Sequence, residues 1–327
     1  MTKNKYIGHP LQLSGVEEYR LLGGKGDGMH LLRVRNGLGI DMTVCADRCC
    51  DISELYFDGS RMNYTSPSGY VSPQYFQEGR DGFGFLKSFN CGLLTTCGLQ
   101  NIGVPNEDEG KLHGLHGSIG NIPADHIYYE TDDDAIHIHA TMRDHIIFGA
   151  KLTLKRTITV GLTDNIITIE DTVCNEGSSE EAVMLLYHLN IGYPLLDETT
   201  KLEINSSEVL PRDARAAEDL DTWNKMLKPV PNFVEQCYYH KFTESTAKVR
   251  VSNESIGKGL ELSFDTGVFP EFTEWKMMGE YDYVLGIEPC TNTLEGRSAI
   301  REKQQLQFLA PGESKKFAAQ ICLFRTK

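Results

Sequence analysis

Two polar side chains at the end of an apolar run are the first candidates for chemistry in this chain. His188 and Asn190 follow the apolar start of AVMLLYHLNIGYP, residues 182–194. Read as a strand, the run places both side chains on one face and Val183, Leu185 and Leu189 on the other. A strand that is apolar on both faces is typical of the centre of a layered fold. His188 could be a core histidine bonded to a backbone carbonyl, or a reactive group presented at the rim of a buried sheet.

A carboxylate occupies a similar position later in the chain. In YDYVLGIEPCTN, residues 281–292, alternation places Glu288 on the face opposite Leu285 and Ile287. We expect Pro289 to end this strand directly after it. A buried carboxylate is costly unless it is paired or functional. Taken alone, the stretch slightly favours an ion pair with an arginine such as Arg297 over a catalytic role.

Further candidates for binding a polar ligand lie in loops. Arg48 interrupts an apolar pattern in ADRCCD and either faces a ligand or pairs with a neighbouring aspartate. Gln100 and Asn101 follow a strand of small residues, where a loop could present both amides or use them in its own hydrogen bonds. His113 and His116 are each followed by glycine, which leaves room beside the ring for a ligand. The loop has no clustered acidic residues or cysteines, so we expect no metal.

The remaining pattern consists almost entirely of strands. The stretches 135–140, 151–160 and 166–173 alternate apolar and polar residues, which places His137 and His139 on a solvent-facing side and predicts an antiparallel hairpin. Residues 201–231 are polar and predict an excursion over the site with at most a short helix. In EQCYYH, residues 235–240, His240 could reach a ligand or simply lie on an exposed edge strand. The absence of βα alternation and of a glycine-rich phosphate loop favours an all-β fold, a large antiparallel β-sandwich.

Composition limits the classes of partner. The chain has 327 residues, 40% of them hydrophobic and 24% charged, and a net charge of −14. That charge argues against nucleic acid or an anionic membrane as a partner. Nine cysteines without zinc-module spacing indicate reduced thiols, and no apolar run reaches membrane-spanning length. We therefore expect one domain over residues 1–327 in the cytoplasm, and the sequence does not predict its oligomeric state.

Three motifs in order resemble a known family. LHGLHGSIGNIPA, LLYHLNIGYPLLD and LGIEPCTN, followed by a hairpin around APGES, resemble the aldose 1-epimerase (galactose mutarotase-like) superfamily, and more closely its DUF4432 branch. The resemblance implies a β-supersandwich with an open cleft that binds a sugar. It assigns His188 as general acid, Glu288 as general base and His116, or alternatively His113, as a sugar ligand. Asn190, His240 and Asn292 are counted with the candidate sugar-binding residues.

Two departures from the family pattern concern the substrate. Gln100-Asn101-Ile102 stands where mutarotases carry an Asn-Arg pair, so we consider Arg48 as the substitute arginine. No arginine occurs in 118–121, where relatives that act on phosphorylated sugars carry one. The predicted partner is thus a small sugar or sugar acid that is not phosphorylated.

Anomer exchange requires one base at the C1 hydroxyl and one acid at the ring oxygen, and it needs no cofactor. We expect His188 and Glu288 to meet across one pocket, about one pyranose ring apart. Two alternatives remain open at this stage. The first is a noncatalytic sugar-binding protein in which Tyr64, Tyr70, Phe83 and Trp275 stack on the sugar. The second is a metal-dependent sugar isomerase that uses His113, His116, His188 and Glu288.

Overall fold

The computed structural model describes residues 5–326 and is built from 22 strands. In chain order the strands are β1 Gly15–Arg20, β2 His30–Arg35, β3 Ile40–Cys45, β4 Asp51–Phe57, β5 Ser60–Arg61, β6 Leu94–Leu99, β7 Asn106–Asp108, β8 Lys111–His113, β9 His126–Thr131, β10 Ala135–His145, β11 Lys151–Gly161, β12 Ile166–Asn175, β13 Glu181–Ile191, β14 Lys201–Ile204, β15 Glu208–Pro211, β16 Gln236–Lys241, β17 Thr246–Asn253, β18 Lys258–Asp265, β19 Glu271–Met278, β20 Tyr283–Cys290, β21 Gln307–Leu309 and β22 Ser314–Arg325. Two short α-helices, α1 Ala214–Glu218 and α2 Arg297–Glu302, and six 3-10 helices of three or four residues accompany them.

The strands form large antiparallel sheets, which confirms the predicted β-sandwich. An eight-stranded sheet has the order β14-β17-β18-β22-β12-β11-β10-β9. A seven-stranded sheet has the order β15-β16-β19-β20-β13-β21, with β6 also paired to β13. The first five strands form a sheet of their own, and β7 pairs with β8.

The main hydrophobic core joins the three large sheets. Ile138 and Ile158 reach it from the eight-stranded sheet, Leu185 from the seven-stranded sheet and Val34 from the five-stranded sheet. The predicted hairpin of β11 and β12 is confirmed, and Ile138 alternates along β10 with the half-exposed His137. Burial of alternate residues in this core fixes which face of each strand points outward.

Strand β13 is buried on both faces, as its sequence predicts. Leu185 and Leu189 belong to the main core, whereas Met184 and Leu186 belong to a second hydrophobic cluster on the opposite side of the seven-stranded sheet. His188 continues the face of Met184 and Leu186. This outer face of the sheet carries the candidate site.

The register of β13 and β20 brings the two predicted reactive groups together. The pairs Leu186 with Cys290 and Leu189 with Ile287 bracket His188 and Glu288, which therefore occupy opposite positions on neighbouring strands. The expectation that Pro289 ends the strand is wrong, because β20 continues to Cys290 and Pro289 pairs with Phe272 of β19.

The excursion between β14 and β16, for which at most a short helix was predicted, holds the short helix α1 and the strand β15. Its loop is fixed to the sheet by the Lys276 ammonium, which donates to the carbonyls of Thr222 and Trp223 at 3.2 Å each. Over residues 5–326, no helix has both the length and the apolar character needed to cross a membrane.

Candidate active site

A cavity of about 450 Å³ opens on the outer face of the seven-stranded sheet, above β13, β16, β19 and β20. Its apolar lining residues, which we call the apolar wall, are Phe83, Phe85, Leu86, Phe89, Val104, Leu115 and Leu294. The remaining lining is polar or aromatic and comprises His116, His188, Arg212, Glu235, Cys237, Trp275 and Glu288, with the backbone of Gly103. The volume lies in the lower part of the range of about 300–1,000 Å³ that is usual for small-molecule sites.

His188 and Glu288 lie in contact at the base of this cavity. The distance from His188 Nε2 to Glu288 Oε1 is 3.3 Å, and the two side chains are 5% and 1% exposed. The expected separation of about one pyranose ring is therefore wrong, because opposite positions on adjacent strands bring the side chains together directly. Both oxygens of Glu288 and Nδ1 of His188 are buried without a hydrogen-bond partner. Buried polar atoms without partners are costly and mark this pair as a functional candidate.

Burial also sets the protonation of the pair. It raises the pKa of Glu288 well above its ordinary value, and the nearby Glu235 acts in the same direction while Arg212 opposes it. Burial lowers the pKa of His188 well below its ordinary value, His116 adds to that effect, and Asn190 opposes it. Both shifts favour a carboxylic acid beside a neutral imidazole over two charged groups.

His116 borders the cavity next to this pair. Its ring lies 5.5 Å from that of His188 and 5.1 Å from that of Phe85, and burial lowers its pKa to about 4. The Gly103 amide donates to His116 Nδ1 at 3.3 Å, so the neutral ring carries its proton on Nε2. His116 can thus donate a hydrogen bond to a ligand hydroxyl, which fits the sugar-binding role that the resemblance assigns to it.

Three of the remaining lining residues form what we call the polar wall: Arg212, Glu235 and Trp275. Glu235 accepts from Arg212 Nη2 at 3.1 Å and from Trp275 Nε1 at 2.7 Å. Arg212 also donates to Asp213 from Nε at 3.0 Å. The guanidinium therefore enters the cavity with its charge already balanced by two carboxylates.

Arg48 does not reach the cavity, which corrects its predicted role as the sugar-binding arginine. Its guanidinium is buried and donates to the carbonyls of Gly120 at 2.6 Å, Val71 at 3.0 Å and Ser88 at 2.9 Å. The predicted ion pair with Asp47 or Asp51 does not form either. Arg48 holds the loops that border the site, because three backbone acceptors use its donors.

Gln100, Asn101 and His113 line a different pocket, together with Lys111 and Asp144, and not the cavity of His188. The Asn101 amide donates to the Gly114 carbonyl at 2.8 Å, so it is committed to holding its own loop. The prediction that these residues bind the same ligand as His188 is therefore wrong. His113 is also separated from the ligand set that the metal-dependent hypothesis requires.

Three other candidates are buried away from the cavity. His240 lies on the face of β16 opposite Cys237 and contacts Glu274 at 3.2 Å. Asn292 donates to the Gln305 carbonyl at 3.0 Å. Asn190 is fully buried, donates to the His188 carbonyl at 2.9 Å and does not line the cavity. Their predicted direct contact with the sugar is not supported, because backbone or core groups occupy their surroundings.

The pairing proposed for Glu288 with Arg297 is also wrong. Arg297 Nε donates to Asp108 at 2.7 Å and its Nη1 donates to the Gln100 carbonyl at 3.0 Å. Glu288 therefore has no arginine partner among residues 5–326. The ion pair that the sequence slightly favoured as the role of this carboxylate is therefore absent.

The sequence prediction missed Arg212, Glu235 and most of the apolar wall. Glu235 and Cys237 are two residues apart in EQCYYH, so strand alternation places them on the same face, opposite His240. That alternation could have identified them from the sequence. Arg212 follows β15 within the polar excursion, where the sequence has no periodicity from which the orientation of a side chain could be predicted. Among the aromatic residues proposed for stacking, Phe83 and Trp275 line the cavity, whereas Tyr64 and Tyr70 do not.

No group of three or more His, Cys, Asp or Glu residues in the described part of the chain is placed to hold a metal ion. His188, Glu288 and His116 are the members of the proposed four-residue metal set that line one cavity. Their arrangement provides an acid, a base and a hydrogen-bond donor around a space for one small ligand.

Comparisons with known proteins show the family and the fold of the chain. The model of the family described as Domain of unknown function (DUF4432) matches residues 26–323. A provisionally named aldose 1-epimerase from Klebsiella pneumoniae subsp. pneumoniae MGH 78578 superposes with a TM-score of 0.90 at 27% identity, covering 95% of this chain and 83% of the other. No curated protein sequence matches the chain.

More distant solved structures share the fold. A galactose mutarotase-like protein from Clostridium acetobutylicum has a TM-score of 0.71 at 13% identity, with 96% of this chain and 100% of that chain covered. The galactose 1-epimerase from Lactobacillus acidophilus NCFM has a TM-score of 0.64 at 13% identity with the same coverage. At these identities the similarity shows a galactose mutarotase-like fold.

Proposed function

The chain belongs to the DUF4432 family, and we propose that it is an enzyme that interconverts the α and β anomers of a neutral aldose. The observation that carries this proposal is the 3.3 Å contact between His188 Nε2 and Glu288 Oε1 at the base of the cavity. The fold shared with proteins named as aldose 1-epimerases supports the reaction class.

The geometry suits a reaction at two neighbouring oxygens. In a cyclic sugar the C1 hydroxyl oxygen and the ring oxygen are bonded to the same carbon. Two groups in mutual contact can therefore address both oxygens at once, one removing a proton and the other delivering one. When one of the two groups is protonated and the other is not, the pair can give a proton to the ring oxygen and take one from the C1 hydroxyl. The His188–Glu288 pair thus needs no cofactor for this reaction.

The charges in the cavity favour a neutral substrate. Arg212 is the one arginine or lysine that lines it in the described chain, and Glu235 and Asp213 already balance that charge. A uronate or a sugar phosphate would meet Glu235 without an unpaired cation to compensate, which costs binding energy. The apolar wall offers C–H contacts to a sugar ring, and His116 with the polar wall supplies hydrogen bonds.

A noncatalytic sugar-binding protein with the same cavity is the second candidate, because Trp275 and Phe83 both face the ligand space. The contact between His188 and Glu288 favours catalysis, because acid–base chemistry needs two proton-transfer groups side by side, whereas hydrogen bonding to sugar hydroxyls does not require the two groups to touch.

The experiment that tests the proposal follows the change of optical rotation of freshly dissolved single anomers, using a panel of neutral aldoses, uronates and sugar phosphates. We expect the wild type to accelerate at least one neutral aldose and the Glu288→Gln variant to accelerate none. Binding of an aldose without any acceleration would favour the noncatalytic candidate.

The cellular location is part of the same proposal. All nine cysteines are free thiols, and Cys49, Cys50 and Cys97 are among those that are fully buried. Free thiols in this number suit a reducing compartment. We therefore propose that the protein acts in the cytoplasm.

A further inference from the structure

The buried lining of the cavity carries few hydrogen-bonding groups besides the reactive pair. The buried lining residues other than His188 and Glu288 form what we call the buried end: Phe85, Phe89, Cys237, Leu294 and the backbone of Gly103. Three of these side chains are hydrocarbon, and a thiol is a weak donor. The Gly103 amide donates to His116 Nδ1, and the Gly103 carbonyl accepts from the His116 amide at 3.0 Å. The buried end can therefore pair few polar groups of a ligand.

The polar wall lies nearer the opening, and most of its donors are already used. The side chains of Arg212 and Glu235 are 31% and 44% exposed. Besides its bond to Glu235, Arg212 donates from Nε to Asp213 and from Nη1 to Cys237 Sγ at 2.9 Å. The one proton of Trp275 Nε1 is donated to Glu235. Ligand hydroxyls near the opening can bind water and the remaining lone pairs of Glu235, whereas hydroxyls at the buried end cannot.

The proposed reaction determines which parts of a pyranose enter the buried end. His188 and Glu288 act on the C1 hydroxyl and the ring oxygen, and the ring oxygen is bonded to C5 as well as to C1. The substituent of C5 is therefore held close to the pair, as is the hydroxyl of C2, the carbon next to C1. C3 and C4 lie across the six-membered ring from the reacting atoms, so their hydroxyls point toward the opening.

His116 is the one further donor beside the pair. Its ring lies 5.5 Å from that of His188, and its Nε2 proton is free for a ligand. That donor can serve the C2 hydroxyl, which leaves the C5 substituent among apolar side chains. The ring of Phe89 lies 5.1 Å from that of His188, and the ring of Phe85 lies 4.6 Å from that of Phe89. A hydroxymethyl group there loses water without gaining a partner, whereas a methyl group gains hydrocarbon contacts.

We propose that the substrate is a 6-deoxyaldose, in which C5 carries a methyl group in place of a hydroxymethyl group. This proposal rests on the proposed function and narrows its substrate class. A hydrocarbon pocket distinguishes a methyl group from a hydroxymethyl group by about 10²-fold, and from a hydrogen atom by about tenfold.

Sugars that differ only at C5 test the proposal. Three series carry a methyl group, a hydroxymethyl group or hydrogen there: D-fucose, D-galactose and L-arabinose; 6-deoxy-D-glucose, D-glucose and D-xylose; L-rhamnose, L-mannose and L-lyxose. In the series that the enzyme accepts best, we expect kcat/KM for the 6-deoxy sugar to exceed that of the hexose by ~10²-fold and that of the pentose by about tenfold. A hexose, a pentose or a 2-deoxyhexose that reacts as fast as the 6-deoxy sugar would overturn the proposal.

Binding is measured separately with the 1,5-anhydro derivatives of the same sugars, which lack the C1 hydroxyl and cannot open. Isothermal titration calorimetry should show the tightest binding for the 6-deoxy derivative of the best series. This readout requires no turnover, so it remains valid if the proposed function fails. If no aldose is accelerated while this order of binding is observed, the error lies in the function. If aldoses are accelerated without any preference at C5, the error lies in the substrate class.

The variant Cys237→Ser adds a hydroxyl donor to the buried end with little change in size. Arg212 Nη1 already donates to this position, so the serine proton would be free for a ligand oxygen. We expect the ratio of kcat/KM for the hexose to kcat/KM for the 6-deoxy sugar to rise by about tenfold. The matched control is Cys50→Ser, a fully buried cysteine of the main core that does not line the cavity, for which the ratio should stay unchanged. An unchanged ratio in a folded Cys237→Ser protein would contradict the proposal.

Discussion

Glu288 occupies space that exists only because residue 286 is glycine. A Cβ on Gly286 would lie 2.3 Å from Glu288 Oε1 and 3.0 Å from the Cβ of Trp275. Both residues are on β20, two positions apart and on the same face. The missing side chain is therefore part of what places the carboxyl group against His188.

Replacing Gly286 by alanine should displace the carboxyl group without unfolding the sheet. The added methyl group collides with the free end of the Glu288 side chain, which can move, so we expect a folded protein with kcat reduced by ~10²-fold. Steady-state anomerisation kinetics and circular dichroism measure the two effects. Gly8→Ala is the control, because its Cβ would meet Gln12 Oε1 only at an ordinary 3.5 Å. Full activity in Gly286→Ala would show that the position of Glu288 does not matter.

Loss of either reactive group should abolish most of the rate. We expect His188→Asn and Glu288→Gln each to lower kcat by ~10²- to 10⁴-fold. Because the two groups act as one proton-transfer unit, the double variant should be little slower than the slower single variant. Rates measured for the two single variants and the double variant test this. Losses that multiply in the double variant would show that the residues act independently.

The buried acid should make stability depend on pH. Burial raises the pKa of Glu288 well above the ordinary 4.5, so above pH 4.5 the unfolded chain loses a proton that the folded chain keeps. Stability then falls with rising pH by up to about 1.4 kcal/mol per pH unit until the folded pKa is passed. Glu288→Gln lacks this loss, so its stability relative to the wild type should rise as the pH rises from 4.5 toward the folded pKa of Glu288.

Denaturant titrations at several pH values measure that difference. The exposed Glu302→Gln serves as the control, for which the difference from the wild type should stay flat. A flat difference for Glu288→Gln as well would mean that Glu288 ionises in the folded protein as it does in the unfolded chain.

Glu235 should contribute to the preference for neutral sugars. Glu235→Gln removes one of the two carboxylates that balance Arg212, and the guanidinium could then attract an anionic ligand. We expect the ratio of kcat/KM for a uronate to kcat/KM for the corresponding aldose to rise by about tenfold, equivalent to about 1.4 kcal/mol. The control is Glu218→Gln, which removes an exposed partner of Arg215 outside the cavity. An unchanged ratio would show that Glu235 does not contribute to substrate selection.

The sequence predicted the local features of the site well. The alternation in β13 placed His188 on the face opposite Leu185 and Leu189, and the structure shows that arrangement. Hairpins such as β11 and β12 were equally readable, because both strands and their turn are contiguous in the chain. The alternation of apolar and polar residues can be recognised within a single strand, because one face of each strand is buried.

The features that depend on pairing between distant strands could not be read in the same way. The 3.3 Å contact of His188 with Glu288 follows from the register of β13 and β20, which are separated in the chain by six strands, β14 to β19. Arg48 illustrates the converse, since its charge suggested a ligand while its actual partners are three carbonyls from distant loops. Loop positions carry no periodicity from which such partners could be inferred.

Two-dimensional exchange NMR at the anomeric protons of a neutral aldose tests the central claim most directly, because it observes anomer interconversion at equilibrium. With catalytic amounts of wild-type protein, we predict exchange cross-peaks between the α and β H1 signals that are absent without protein. With the same amount of Glu288→Gln, only the uncatalysed background should remain. Equal exchange with the wild type and the variant, or none with any neutral aldose, would contradict the assignment of His188 and Glu288 as an acid–base pair.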